Sequence, residues 1–400
     1  MTEKLYYSDS HLTSCTASVR ACEPVSGGFD VLLDRTVLFP TGGGQQTDLG
    51  TIGAANVLAC REEGDEVVHL VDRALPVGMR VTVTLDWARR FDYMQQHTGE
   101  HLLSFAAYTL FGAKNVGFHL ADAYTTIDFD RPLSHEELLE AETLANGFIW
   151  RNLPVTATLY ESEDAIADLS LRKHAEGLKG PIRIVAIQDA DCCTCCAPHC
   201  RFTGEIGSIR ITDAAAYKGG TRITFLCGKR ALLAAQDAHD TLDRIARRFS
   251  VSRADAEGAV TKLADQYNAL KRDERALTAA LNRYVAAELS AQAVSAGKVR
   301  ILVAQLDSVP AARLKDLAQA VSEPRTLVLL LSQTEGKLYY VLSTGEGFPA
   351  DVGELMPAVN AATGGKGGGR GTLAQGMSPS CGALAETVAQ LTDYFTKRFR

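Results

Sequence analysis

Alternating apolar and polar residues dominate the first part of the chain and predict short β-strands separated by turns. The clearest predicted strands cover residues 29–33, 66–71 and 79–85; in the last of these, valines and Leu85 alternate with polar residues. Several short strands in succession are typical of a small barrel or sandwich. We therefore predict a β-barrel-like domain over residues 1–90.

From Trp87 onward the apolar spacing changes to that of a helix, and strands return further along the chain. A second helix is predicted over residues 134–152, where Ser134 and Glu137 are placed to form a capping box. Further strands are predicted at residues 124–129, 155–160, 182–187, 207–211 and 221–226. This mixture predicts an α+β domain over residues 91–228.

Residues 229–295 have an almost purely helical pattern, interrupted near residues 249–252. Ser252 and Asp255 are placed to cap the second helix. Apolar residues then recur at intervals of three and four, with an interruption at Glu274, which predicts a helical hairpin or short coiled coil. A homodimer seam through residues 252–292 and a packing stripe within the chain predict the same pattern, so both interpretations stay open.

Residues 296–400 predict a separate α/β domain with buried strands at 299–304, 326–331 and 338–342. Residues 364–376 are glycine-rich and carry Lys366 and Arg370. A flexible backbone with interleaved positive charge can approach phosphates closely, so these two residues are candidate nucleic-acid contacts. The segment lacks the Gly-Lys-Ser/Thr ending of a P-loop. A plain linker is the alternative, but a predicted helix follows it.

Composition describes an ordinary folded chain. Of its 400 residues, 46% are apolar and 22% are charged. No run approaches the length of a membrane span, and the first residues do not form a signal peptide, so we expect a cytoplasmic protein without a membrane partner. The net charge is −7 and the acidity lies in the first half, so a polyanion would be gripped by the second half or by local patches.

Two pairs of metal-ligating residues stand out. His97 and His101 are four positions apart on the first predicted helix, so both imidazoles can reach one ion. Cys195 and His199 repeat this spacing in a cluster that holds half of the ten cysteines. In a reducing compartment such a cluster favours metal binding over disulfides. The four residues predict a tetrahedral Zn²⁺ site; a structural zinc knuckle using Cys192/Cys195 or Cys193/Cys196 is the alternative.

Three consecutive glycines, at positions 42–44, precede Gln45 and Gln46 inside the predicted barrel. Glycine allows backbone conformations and close approaches that a β-carbon would block. A tight turn explains the glycines alone as well as a ligand does, but the two glutamines favour a pocket wall.

The zinc pattern formed by His97, His101, Cys195 and His199 resembles that of the alanyl-tRNA editing proteins and of the editing domain in alanyl-tRNA synthetase. Residues 42–45, 95–101, 203–207 and 222–228 resemble the same family, and the end of the chain resembles the domain shared by alanyl-tRNA synthetases and DHH phosphoesterases (DHHA1). The likeness spans nearly the whole chain, as in the long form of the family. One departure is Ala197-Pro198, where the family usually has Gly-Thr.

The resemblance implies a zinc-dependent hydrolase that deacylates mischarged alanine tRNA carrying serine, with glycine as a second candidate. Accepting serine while rejecting alanine requires polar groups that reward the extra hydroxyl. We predict Thr98, Gln45 and Gln46 for this role. Zinc could activate water, orient the ester or polarise its carbonyl.

Two other functions are compatible with the sequence. Residues 97–101 satisfy the inverzincin pattern His-x-x-Glu-His, which predicts a metallopeptidase with Glu100 as general base and Glu161, Glu163 or Glu176 as third ligand. That interpretation leaves Cys195 and His199 without a function. The non-enzymatic alternative is a zinc-stabilised tRNA-binding protein.

Overall fold

A computed structural model of the chain describes residues 1–173, 181–379 and 383–400. The chain divides into two compact units, Met1–Arg248 and Phe249–Arg400. Both combine helices with sheets, which confirms the predicted α+β fold class. The finer division at residues 90, 228 and 295 stays a prediction.

The first unit begins with a six-stranded barrel, closed in the order β2-β3-β7-β6-β5-β8. Every second side chain of β8 is buried, as the alternation predicted, and a valine-rich core fills the barrel. The short strands β1 and β4 pair in parallel beside it. The strands are β1 (Glu3–Lys4), β2 (Ser14–Val25), β3 (Gly28–Leu33), β4 (Arg35–Thr36), β5 (Gly50–Ile52), β6 (Ala55–Glu63), β7 (Glu66–Val71) and β8 (Arg80–Leu85).

One buried histidine is expected to make the barrel sensitive to acid. His69 on β7 is 0% exposed, its Nδ1 lies 3.2 Å from the Val31 carbonyl oxygen and its Nε2 lies 2.9 Å from Thr36 Oγ1. Burial lowers the pKa of His69 from 6.5 to about 4. The unfolded chain therefore binds this proton more readily, so stability is complete above the unfolded pKa and falls as the pH drops toward the folded pKa.

Because of this histidine, we expect the free energy of unfolding to fall by about 2 kcal/mol when the pH is lowered from 7 to 5. Urea unfolding at the two pH values measures it, followed by fluorescence of Trp87, which packs against the barrel core. His69→Leu cannot be protonated, so its loss between the two pH values should be smaller by that amount. An equal loss in both proteins would contradict the assignment.

The remainder of the first unit packs two helices against two sheets. The larger sheet has the order β14-β15-β10-β9 and the smaller one β11-β12-β13. The Ser134–Glu137 capping box at the start of α2 is confirmed. The elements are α1 (Trp87–Phe111), β9 (Asn115–Leu120), β10 (Thr125–Phe129), α2 (His135–Trp150), β11 (Val155–Tyr160), β12 (Ile182–Ile187), β13 (Cys192–Thr194), β14 (Ile209–Tyr217), β15 (Gly220–Cys227) and α3 (Gly228–Phe249).

The second unit contains a six-stranded sheet of order β16-β17-β18-β19-β21-β20, in which only β17 and β18 are parallel. Helix α5 makes the crossover between those two strands. The elements are α4 (Ala256–Ala291), β16 (Val294–Ala296), β17 (Val299–Asp307), α5 (Ala311–Val321), β18 (Thr326–Thr334), β19 (Lys337–Thr344), α6 (Val352–Thr363), β20 (Lys366–Arg370), β21 (Leu373–Ser378) and α7 (Leu384–Phe399).

Two local predictions for this unit are wrong. Ser252 does not cap α4, because a 3₁₀ turn intervenes and its hydroxyl donates to the Asp255 carboxylate at 2.6 Å. The glycine-rich segment was predicted to have a flexible backbone, but β20 and β21 pair along it as an antiparallel hairpin. Glycine permits this pairing because the backbones of the two strands lie too close for a β-carbon. A β-carbon built on Gly369 would lie 2.2 Å from the Leu373 carbonyl oxygen.

The predicted apolar stripe lies along α4 and is exposed. Its residues are Val260, Leu263, Tyr267, Leu270, Leu277, Leu281 and Tyr284.

In the described part of the chain, no helix is long and apolar enough to span a membrane.

Candidate metal centre

Helix α1 carries the first ligand pair on its buried face. The Asp86 side chain accepts a hydrogen bond from Arg89 N and caps its start, and Gly112 ends it in a left-handed conformation. His97 and His101 are each 2% exposed, and their ring centroids lie 5.6 Å apart, as expected one helical turn apart. The helix therefore presents both imidazoles to the same place.

The loop after β13 carries the second pair, and Arg183 on β12 holds this loop. Its Nη1 donates to the carbonyl oxygens of Cys195 at 2.9 Å and Ala197 at 2.8 Å. Cys195 N donates back to the Arg183 carbonyl oxygen at 3.1 Å. Ala197 is fully buried, so the Ala197-Pro198 departure from the family pattern lies inside the packed loop. Arg183 thereby sets the position of Cys195.

The fold brings the two pairs together. Ligand atoms of His97, His101, Cys195 and His199 all lie within 4.8 Å of one another. Cys195 Sγ lies 3.5 Å from His97 Nε2 and 3.3 Å from His199 Nε2. Three imidazoles and one sulfur at this separation form the donor set that Zn²⁺ prefers, and the sequence predicted the same four residues.

Each imidazole is oriented by a partner on its outer side. His97 Nδ1 lies 3.0 Å from Gln45 Oε1, and His101 Nδ1 lies 3.0 Å from Asp191 Oδ2. His199 Nδ1 lies 3.2 Å from Thr98 Oγ1, which also accepts a hydrogen bond from Cys200 N at 3.1 Å. In all three rings Nδ1 is engaged, so Nε2 is left for a metal, as in histidine-ligated zinc sites with outer-shell acceptors.

The pKa shifts single out one cysteine of the cluster. Burial opposes a charged Cys195, but interactions of its sulfur with the imidazoles of His97 and His199 outweigh this effect and hold the pKa of that thiol well below its usual value. Burial raises the pKa of Cys193 and Cys196 to about 11, and it also raises the pKa of Cys192. Metal ligation requires a thiolate, so Cys195 is the cysteine best prepared for it.

His199 and His101 differ in their surroundings. Burial lowers the pKa of His199 to about 3, which keeps its imidazole neutral and able to donate a lone pair. Burial opposes a charged His101 too, but Cys193 and Asp191 outweigh it and raise the pKa of His101 well above its usual value. His101 therefore lies in a negative environment that favours any cation at this position, a proton or a metal ion.

A second potential ligand group shares His101 and adds Asp191 and Cys193. Arg172 already pairs with Asp191 through two hydrogen bonds of 2.6 and 2.9 Å. Burial would raise the pKa of Asp191, but Arg172 and His101 hold it below its usual value. Because both oxygens of this carboxylate are already bonded to Arg172, it serves better as an orienting partner of His101 than as a ligand.

A cavity of about 430 Å³ opens beside the metal centre. Gly43 and Gly44 form part of its wall, together with His97, His101 and Glu100. Gly44 has a φ of +81°, and a β-carbon there would lie 2.8 Å from the Phe118 ring, so only glycine suits this position. Other lining residues are Tyr7, Asn115, Phe118, Leu159, Arg172, Lys173, Pro181, Ile182, Arg183, Cys193, Thr194, Cys195 and Cys196.

The structure separates the predicted substrate contacts from this cavity. Gln45 and Thr98 are buried behind the histidine rings, and Gln46 is exposed beyond the glycine turn. None of the three lines the cavity as formed by the described residues. Lys366 and Arg370 are exposed on β20, in the second unit.

Sequence reasoning missed Asp191, Arg172 and Arg183, and it predicted Glu100 only as the general base of a metallopeptidase. Asp191 immediately precedes the cysteine cluster, so its position was a usable signal. Arg172 and Arg183 lie in no motif of their own. The carboxylates expected for a metallopeptidase lie elsewhere: Glu161 and Glu163 are exposed and in neither ligand group, and Glu176 is outside the described residues.

Two regions of the chain match known protein-family models. Residues 182–224 match the family model for the threonyl and alanyl tRNA synthetase second additional domain, and residues 298–397 match the model for the DHHA1 domain. The chain therefore contains one region similar to an additional domain of threonyl and alanyl tRNA synthetases and a second region similar to the DHHA1 domain.

Two relatives that match nearly the whole chain identify its family. The alanyl-tRNA editing protein Aarsd1 of Mus musculus is 30% identical and covers 96% of each chain. The alanyl-tRNA editing protein AlaX-L of Pyrococcus horikoshii is 29% identical over 94% of each chain. The chain belongs to the alanyl-tRNA editing protein family, which confirms the resemblance in the sequence. The solved C-Ala domain of Aquifex aeolicus alanyl-tRNA synthetase covers 26% of this chain and 97% of its own, with 21% identity and a TM-score of 0.25.

Proposed function

We propose that this protein is a trans-editing hydrolase that deacylates mischarged alanine tRNA carrying serine or glycine, at a zinc ion held by His97, His101, Cys195 and His199. The observation that carries the proposal is the convergence of these four ligand atoms beside a cavity. Family membership supports alanine tRNA as the substrate, because relatives of nearly full length are named alanyl-tRNA editing proteins.

The donor set suits zinc better than other common ions. Its nitrogen and sulfur ligands exclude calcium and magnesium, which prefer oxygen. The lowered pKa of Cys195 and the neutral imidazole of His199 match the protonation states that ligation needs. When bound, zinc supplies a Lewis acid that can polarise an ester carbonyl or raise the acidity of water.

The chain's own residues position the substrate. A cavity of about 430 Å³ accommodates an aminoacyl group and part of the terminal nucleotide, but not the body of a tRNA. Lys173 and Tyr7 line it and offer a cation and an aromatic face to that nucleotide. An aminoacyl ester is already activated, so holding it in line for attack supplies much of the catalysis.

Gln45 and Thr98 are proposed to act through the ligands they orient, His97 and His199. Their predicted contact with a substrate hydroxyl, and that of Gln46, stays a prediction.

We also propose that residues 91–228 form the hydrolase domain, with residues 1–90 as the barrel, 229–295 as the helical region and 296–400 as the DHHA1-like domain. The exposed positions of Lys366 and Arg370 support a contact with tRNA, and the exposed stripe on α4 supports a homodimer through residues 252–292.

A deacylation panel tests the function. The wild-type protein should release serine and glycine from alanine tRNA roughly 10–200-fold faster than alanine, since one hydroxyl or methyl group is worth about 1–3 kcal/mol in such a pocket. Equal release of alanine would contradict editing. Peptide cleavage without deacylation would favour the metallopeptidase, and tRNA binding without hydrolysis would favour a binding protein.

A further inference from the structure

Glu100 is a buried carboxylate that no ligand role accounts for. It is 5% exposed, lies on α1 immediately before His101, and lines the cavity beside the metal centre. It is absent from both groups of potential metal ligands. A buried carboxylate is costly unless it is paired or hydrogen-bonded, so its position facing a cavity calls for a partner.

The two oxygens of Glu100 have different surroundings. Oε1 accepts hydrogen bonds from Ser104 Oγ at 2.7 Å and Asn115 Nδ2 at 2.5 Å, and these two side chains also bond to each other. Among the described residues, no hydrogen bond reaches Oε2, which lies 3.7 Å from His101 Nε2. The carboxylate is therefore held by one oxygen and keeps the other available next to the metal ligands.

Among the described residues, no neighbouring cation forms a hydrogen bond with this second oxygen: His101 Nε2 lies 3.7 Å away, beyond hydrogen-bond distance. Arg172 also lines the cavity, but its Nε and Nη2 are both bonded to Asp191. A carboxylate is an acceptor only, so its partner must be a donor, and a charged donor forms the stronger bond. An aminoacyl ester contains one cationic donor, its α-ammonium group.

We propose that Glu100 binds the α-ammonium group of the aminoacyl ester through Oε2. This inference rests on the proposed function. The carbonyl carbon of an amino acid lies about 2.5 Å from its own nitrogen, across two covalent bonds. An ammonium group on Oε2 therefore brings the scissile carbonyl to the histidine cluster, because Oε2 is 3.7 Å from His101 Nε2.

Glu100 would thus bind every aminoacyl ester through its free amino group, whatever its side chain. It strengthens the binding of any ester with a free amino group, while other groups must distinguish serine from alanine. The brace formed by Ser104 and Asn115 on Oε1 fixes the direction of Oε2, so the bond is preorganised before substrate arrives.

The test uses two pairs of probes with the full-length protein. The first pair is seryl-tRNA and its deaminated counterpart, in which a hydroxyl of similar size replaces the α-amino group. The second pair is the amide-linked, non-hydrolysable 3′-seryl analogue of adenosine and its own deaminated counterpart, whose dissociation constants are measured by calorimetry. The second readout does not depend on turnover.

We expect the wild-type protein to prefer the amino form of each pair by roughly tenfold to a hundredfold, the range for a hydrogen bond between charged groups. Glu100→Gln keeps the size and the bonds to Oε1 but loses the charge, and should reduce this preference to near unity. Its zinc content should remain that of the wild type. Glu142→Gln is the matched control: Glu142 is a buried carboxylate that bonds to Arg210 and Ile211, away from the cavity, so its variant should keep the preference.

The outcomes separate this proposal from the proposed function. If the wild-type protein hydrolyses neither tRNA and binds neither analogue, the proposed function fails. If it hydrolyses seryl-tRNA and Glu100→Gln retains the full preference for the amino form, Glu100 does not bind the ammonium group. An equal loss of activity of Glu100→Gln on both tRNAs, with the preference unchanged, would instead assign it as a general base and overturn the inference.

Discussion

Replacing Cys195 by alanine is expected to remove zinc from the protein and to abolish deacylation. Its thiolate is the one negative ligand of the set, and Cys195 is the cluster cysteine whose pKa is held low, by His97 and His199 against the opposing effect of burial. Zinc content should fall from about one ion per chain to near zero, as expected when a four-coordinate site loses a ligand. The deacylation rate should fall by more than the roughly 10–100-fold typical of outer-shell substitutions.

Cys196→Ala is the matched control for this measurement. Cys196 is the next residue, but burial raises its pKa to about 11 and its Sγ faces the glycine turn, 3.3 Å from where a β-carbon of Gly43 would lie. Metal analysis should therefore find full zinc in Cys196→Ala. Loss of zinc from Cys196→Ala or Cys193→Ala but not from Cys195→Ala would show that the wrong thiolate has been assigned. Full zinc in a His97→Ala/His101→Ala double variant would show that the cysteines bind the ion alone.

Replacing Asp48 by alanine is expected to destabilise the first unit by about 3–5 kcal/mol, the usual cost of leaving one member of a buried ion pair alone. Asp48 and Arg90 are both fully buried. Arg90 Nε lies 3.1 and 3.0 Å from the two carboxylate oxygens, and its Nη2 donates to Asp48 and to the Val37 carbonyl oxygen. Without Asp48, the guanidinium of Arg90 would remain buried with its charge uncompensated.

The same carboxylate closes the glycine turn. Asp48 Oδ2 accepts from Phe39 N at 2.7 Å, and Asp48 N donates to the Phe39 carbonyl oxygen at 2.9 Å, so the two residues join the ends of the segment that contains Gly43 and Gly44. We expect Asp48→Ala to loosen this cavity wall as well as to lower stability.

Urea unfolding of the full chain measures the loss, with Asp30→Ala as control. Asp30 also pairs with an arginine, Arg61, but the Arg61 side chain is 45% exposed, so this variant should lose less than about 1 kcal/mol. Similar losses in the two variants would show that Arg90 finds another partner when Asp48 is removed.

Strand positions were predictable where a run of apolar and β-branched residues is flanked on both sides by turn residues. The strands at residues 66–71, 155–160 and 182–187 begin and end where predicted, because apolar and β-branched residues stop abruptly at polar or glycine-containing turns. The Ser252–Asp255 capping box failed because those side chains bond to each other, an alternative that the same residue types always offer. The glycine-rich segment was misjudged because glycine is compatible with both a loop and a closely packed hairpin.

The amino-acid sequence by itself determined the α+β class, the family and the four residues that converge at the metal centre. The geometry of His97 and His101 follows from local spacing, because residues four apart lie on one face of a helix. Cys195 and His199 lie in a loop, so their spacing marked them as candidates but did not set their geometry. Only the tertiary structure decided which groups surround them. Gln45, Asp191 and Thr98 orient the rings, Arg183 holds the cysteine loop, and Glu100 faces the cavity, because elements distant in sequence meet there. Burial and charge at that meeting point set the thiolate apart from its neighbours, and no local pattern contains that information.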